Sequence, residues 1–150
     1  MIPNAIEKEI LIDASVETVY RVITDPGEIS QWFSDAAELD PVPGGEGRLT
    51  FEDRASNQRM TVRLRVETAE PPYRFAFRWD YPEGESPHER NAALVEFTLT
   101  SEGGGTRLRV TESGFEALDR PEQEKASYID IHEKGWEAHL ASLRDYVTSE

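Results

Sequence analysis

The sequence predicts an α+β domain in which a curved antiparallel sheet of about six strands grips one long C-terminal helix. Three observations carry this. The chain opens with one strand-like segment followed by two short helical ones. A run of segments that alternate apolar and polar residues comes next, and the last segment repeats its apolar residues at helical spacing. Successive strands joined by short turns form an antiparallel meander, because parallel neighbours need long crossovers. Alternation makes one sheet face apolar, and the long helix is the element left to cover it.

The first strand is "AIEKEILID", with Ile6, Ile10 and Ile12 on one face. Ser15 is a good N-cap for the helix "VETVYRVITD", and Glu17 suits its positive end. Val16, Val19, Tyr20 and Ile23 make a single stripe there, and Pro26 and Gly27 end it. The segment "PGEISQWF" reads as a second short helix carrying Ile29, Trp32 and Phe33, and "DPVPGGEG" reads as a loop. Alternation then places Leu49 and Phe51 on one face of "RLTFED", and Met60, Val62, Leu64 and Val66 on one face of "RMTVRLRVETAE". In "YRFAFRWDY" it aligns Tyr73, Phe75, Phe77, Trp79 and Tyr81. Val95, Phe97 and Leu99 share a face of "ALVEFTLT", "EGGGT" is a hairpin turn signal, and Leu108 and Val110 share a face of "TRLRVTES".

The closing helix contains "HEKGWEAHLASLRDYV", residues 132 to 147. At about 100° per residue, Ile129, His132, Leu140, Leu143 and Val147 fall within about 40° of Trp136. Gly135 costs about 1 kcal/mol relative to alanine in a helix interior. It lies on the flank of the stripe, beside Tyr128, His139 and Tyr146, so it opens a notch there without interrupting the core face.

Composition narrows the function. With 150 residues, 37% hydrophobic and 31% charged, the chain reads as one soluble globular domain over residues 1–150. A net charge of -14 disfavours nucleic acid and anionic membranes as partners. No apolar run approaches the roughly 18 residues of a membrane span. The start "MIPNAIEKEI" lacks a secretory pattern, so the expected location is the cytoplasm. The absence of cysteine excludes disulfides and thiol catalysis. There is no HExxH, CxxC, P-loop, dinucleotide or GxSxG motif, and Ser113 lacks a nucleophile's flanking pattern, so no metal or cofactor is expected. Of His88, His132 and His139, the last two are about two helical turns apart, too far for one ion.

The pieces "IDASVETVYRVITDP", "QWF", "GGTRLRVTESGF" and "GWEAHLASLRDYV", in this order, resemble the START-like (SRPBCC) proteins over residues 5 to 148. The closest branch is the one named after the activator of the heat-shock-protein-90 ATPase. The resemblance implies a helix-grip fold with a deep pocket between sheet and long helix. It implies no single activity: such proteins include lipid and polyketide binders, aromatase/cyclases, stress proteins and co-chaperone domains, so function must be argued from the site.

The leading reading is a protein that binds a small hydrophobic or aromatic molecule rather than an enzyme. The expected ligand-binding residues are Trp32, Phe51, Tyr73, Phe75, Phe77, Trp79, Tyr81, Phe97, Val110, Glu112, Tyr128, His132, Trp136 and Leu140. The aromatic strand forms one wall and the helix stripe the other, and Tyr and Trp add polar tips. Glu112 continues the inward register of Leu108 and Val110, either to the pocket rim or, as glutamate usually does, out into solvent. A cyclase-like enzyme is the alternative, with His132, Glu112 and Tyr128 as acid/base candidates. Family analogy adds a co-chaperone-like module, and self-resistance to a toxic natural product such as an enediyne, in which Gly114 or Gly135 would be the reactive backbone. On the polar register Arg63, Arg65, Arg74, Arg78, Arg107 and Arg109 serve either cross-strand ion pairs, with residues such as Glu52 and Glu96, or a protein partner.

Overall fold

A computed structural model describes residues 3–53, 55–82 and 84–149. The elements run β1 (Ala5–Ile12), α1 (Val16–Thr24), α2 (Pro26–Trp32), β2 (Ala36–Leu39), β3 (Glu46–Asp53), β4 (Gln58–Glu70), β5 (Arg74–Trp79), β6 (Ala93–Glu102), β7 (Gly105–Ser113), a 3₁₀ turn (Phe115–Ala117) and α3 (Glu122–Thr148). The strands form one antiparallel sheet in the order β1-β7-β6-β5-β4-β3-β2. The architecture is the α+β helix-grip arrangement expected, with one strand more than the alternation shows. The addition is β2, whose four residues AAEL are too short for a pattern to emerge.

Local chemistry explains the boundaries. Ser15 caps α1 by accepting from the Thr18 amide at 3.2 Å. Asp25 ends α1 and caps α2, accepting from the Glu28 amide at 3.1 Å, with Pro26 as first helical residue. Gly103 and Gly104, at φ +57° and +86°, form the two-residue turn between β6 and β7, a geometry that needs positive φ twice. The β4–β5 pairing shifts register between Val66 and Thr68, the kind of irregularity that bends a sheet.

The 27-residue α3 lies in the concave face of the sheet. Ile129, Trp136, Leu140, Leu143 and Val147 are buried on it, against a sheet face of Leu64, Phe77, Val95, Phe97, Leu108 and Val110. Helices α1 and α2 close one end: Val16, Val19, Tyr20 and Ile23 are buried, and the Trp32 indole donates to the Val22 carbonyl at 2.9 Å. Tyr146 of α3 donates to Glu28 of α2 at 2.6 Å.

The outer sheet face carries matched charges. Arg65 meets Glu46 at 2.9 Å, Arg78 meets Glu67 at 2.9 Å, and Arg74 meets Glu70 at 3.4 Å and Glu96 at 3.6 Å. Arg107 meets Glu102 at 2.7 Å and Glu9 at 3.0 Å, and Arg109 meets Glu9 at 3.2 Å. Glu52 pairs instead with Arg59, at 2.6 Å. These partly exposed pairs contribute little stability each, ~0–1 kcal/mol, but they balance the positive register within the sheet.

Candidate ligand cleft

The inward register of β7 runs Thr106, Leu108, Val110, Glu112, and all four are buried. Glu112 does not reach solvent: it is 0% exposed, and a carboxylate there requires donors. Four side chains supply them. Trp79 Nε1 donates to Oε2 at 3.0 Å, Tyr128 Oη to Oε2 at 3.1 Å, and Trp136 Nε1 to Oε1 at 2.9 Å. His132 Nδ1 lies 2.8 Å from Oε1 and 3.1 Å from Oε2. A carboxylate offers about four acceptor sites, so this group is saturated. Tyr128, His132 and Trp136 stand at i, i+4 and i+8 on α3, which places all three over the end of β7.

Above this cluster, between α3 and β3–β5, is a cleft of about 240 Å³. Its lining is mostly apolar and aromatic: Phe33, Phe51, Met60, Val62, Trp79, Ile131 and Trp136, with Gly135. The polar members are Asp80, His132 and His139. Phe33 is the hub, stacked on Trp136 at 5.4 Å and on Trp79 at 5.9 Å between ring centroids, and edge-on to His139 at 4.6 Å. Trp79 and Trp136 stack on each other at 5.8 Å. The result is a flat aromatic floor with polar groups at its margins, the composition of small-molecule sites.

Burial governs the titrating groups. It pushes the Tyr128 phenol far above its usual range, helped by the nearby Glu112 and Asp80 carboxylates, so Tyr128 remains a donor. Burial also raises Asp80, opposed chiefly by the positive field of Arg120. His139 is lowered by burial first and by His132 second, against a hydrogen bond to the Trp32 backbone. Among the described residues no three His, Asp or Glu side chains are grouped as a metal site requires.

Of the residues expected at the ligand, Phe51, Trp79, His132 and Trp136 line the cleft. Glu112 and Tyr128 sit directly behind His132. Trp32, Phe75, Phe77 and Phe97 surround a separate void of about 10 Å³, at most one water, so they act as core. Val110 and Leu140 are likewise buried in the core. Tyr73 is 53% exposed, because the strand begins only at Arg74. Tyr81 leaves the aromatic row because Asp80, at φ +64°, breaks the alternation after Trp79. Its hydroxyl feels Arg65, Glu46 and Arg63, residues of the outer register.

Sequence reasoning left out Phe33, Met60, Val62, Asp80, Ile131 and His139 as lining residues. The signal for His139 was its place on the notched flank of α3. Gly135 does line the cleft, whereas Gly114 is not among the lining residues. A Cβ built on Gly135 would meet only His139 Cδ2, at 3.9 Å, so the notch is open.

Comparison with known proteins gives a consistent picture. Residues 13–148 match the family described as Activator of Hsp90 ATPase homolog 1-like protein. No curated protein matches the chain. Among solved structures, DynU16, a protein in the dynemicin biosynthetic locus, is 26% identical with a TM-score of 0.74, covering 98% of this chain and 48% of that one. The chain therefore spans about half the length of DynU16. NE0264 from Nitrosomonas europaea superposes with a TM-score of 0.80 at 16% identity, covering 97% and 95% of the two chains. CalU16 from Micromonospora echinospora has a TM-score of 0.68 at 24% identity, covering 95% and 75%. The last two show the fold alone.

Proposed function

We propose that this chain, which belongs to the Activator of Hsp90 ATPase homolog 1-like family, is a binding protein for a small hydrophobic or aromatic molecule. The observation that carries this is the aromatic cleft between sheet and α3, where Phe33, Trp79 and Trp136 stack into one surface. A plain core would be filled, whereas here the rings border free volume. The likeness to DynU16 supports a ligand of the polyketide or natural-product kind, since that protein belongs to the dynemicin biosynthetic locus. Flat unsaturated molecules stack on such a floor with ring centroids about 4.5–7 Å apart.

The reading is tested by tryptophan fluorescence and melting. Trp79 and Trp136 border the cleft, while Trp32 belongs to the core behind it. A bound flat ligand is expected to quench the first two. At a hundred times its Kd it adds about 2.7 kcal/mol, which raises Tm by roughly 5–10 °C for a chain of this size. A panel of polycyclic and polyketide-like compounds that produces neither quenching nor a shift in Tm refutes it.

A further inference from the structure

The chemistry of the ligand is written in the surroundings of His132. Its ring is held on three sides. Tyr128 stacks on it at 3.8 Å between centroids, Trp79 meets it edge-on at 5.6 Å, and Glu112 holds Nδ1 at 2.8 Å. A carboxylate that already receives two indole N–H groups and a phenol acts as an acceptor, so Nδ1 carries the proton. In the neutral imidazole the lone pair is then on Nε2. Among the described residues Nε2 has no hydrogen-bond partner, and the side chain is 21% exposed where it lines the cleft.

Asp80 and His139 are the other polar groups of the lining, and the His132→Phe comparison below separates them from His132. Phe33, Phe51, Val62, Trp79 and Trp136 offer faces and edges to a flat molecule. The Trp79, Trp136 and Tyr128 donors are already committed to Glu112. The charged and titrating groups around His132 are Glu112 on β7, Asp80 after β5, Tyr128 and His139 on α3, and Arg120 before it. The buried Glu112 carboxylate, the half-buried Asp80 and a net charge of -14 disfavour an anionic ligand. What the cleft lacks is a donor aimed at a fixed acceptor.

We propose that the cleft selects a phenol or enol, a flat unsaturated ligand that lies on the aromatic floor and donates its acidic O–H to Nε2 of His132. This rests on the cleft being the ligand site. With a sufficiently acidic hydroxyl the hydrogen bond becomes a proton transfer. The O–H bond breaks, an N–H bond forms at Nε2, and the electron pair stays on the ligand oxygen. The imidazolium charge then faces the Glu112 carboxylate across 2.8 Å. Glu112 acts here as a positioning residue, fixing the tautomer.

The test compares 2-naphthol with 2-methoxynaphthalene, which has the same rings but no hydroxyl, by calorimetry and tryptophan quenching. At about pH 8, where a free naphthol is neutral and an imidazole is unprotonated, the wild-type protein is expected to bind the naphthol about tenfold more tightly than the ether. In His132→Phe, which keeps a ring between Tyr128 and Trp79, the advantage of the hydroxyl should vanish and the two affinities should become equal. Melting curves report whether that variant folds. Lowering the pH on the wild-type protein serves independently, because protonated Nε2 cannot accept and the preference should disappear. Equal wild-type affinities, or a preference that survives in His132→Phe or at acid pH, overturn the inference while leaving the cleft a ligand site. Binding of neither probe overturns both readings.

Discussion

Replacing Gly135 with alanine separates an open notch from a packed one. The glycine lies in the interior of α3, where alanine is better by about 0.8–1 kcal/mol. The added Cβ meets nothing nearer than 3.9 Å, an ordinary van der Waals contact with His139, so no opposing strain is expected. The net gain, about 1 kcal/mol, corresponds to a rise in Tm of roughly 2–4 °C for a chain of this size. The same methyl group is added to the cleft lining and removes about one water's volume, ~30 Å³, from a space of about 240 Å³. Gly135→Ala should therefore be more stable yet bind a cleft-filling ligand more weakly. Differential scanning calorimetry of the free protein and ligand titration of both forms measure the two effects. A lower Tm would show that a neighbour occupies the notch, and the reasoning about an open cleft would fail.

Two further outcomes follow from the buried cluster. Glu112→Gln places an NH₂ group among four donors that need acceptors, and should cost about 2–4 kcal/mol in urea unfolding; a loss below about 0.5 kcal/mol, a surface-like value, would show that the donors find other partners. Stability should also fall on acidification through His139. Its folded pKa lies below the ordinary 6.5, so the unfolded chain binds more protons between those two values, and stability present above 6.5 is lost as pH drops below it. Urea melts across that window should show a shallower decline for His139→Gln than for the wild type; equal slopes would contradict the burial of this ring.

Much of the architecture was legible from periodicity because burial follows backbone geometry. The α3 stripe of Ile129, Trp136, Leu140, Leu143 and Val147 is buried as the wheel places it, and Leu49, Val62, Leu64 and Val66 are buried as alternation places them. Alternation misled where a strand stops and at the edge of the cleft. Tyr73 precedes β5, and Tyr81 follows a residue at φ +64°, a conformation that aspartate tolerates better than most residues. Met60, in register with Val62, is 60% exposed where it lines the cleft.

The sequence by itself determined which faces are apolar, where the helices are capped, and that one long helix must cover one curved sheet. Those are local matters, decided within a turn or a strand. Only the tertiary structure decided the fate of Glu112. Its register pointed inward, but a glutamate at a strand end ordinarily meets water. Here β5 and three turns of α3 bring two indoles, a phenol and an imidazole onto it, groups 16 to 33 residues away in the chain. Which side chains share one acceptor is a property of how elements cross, and no spacing along the chain contains it.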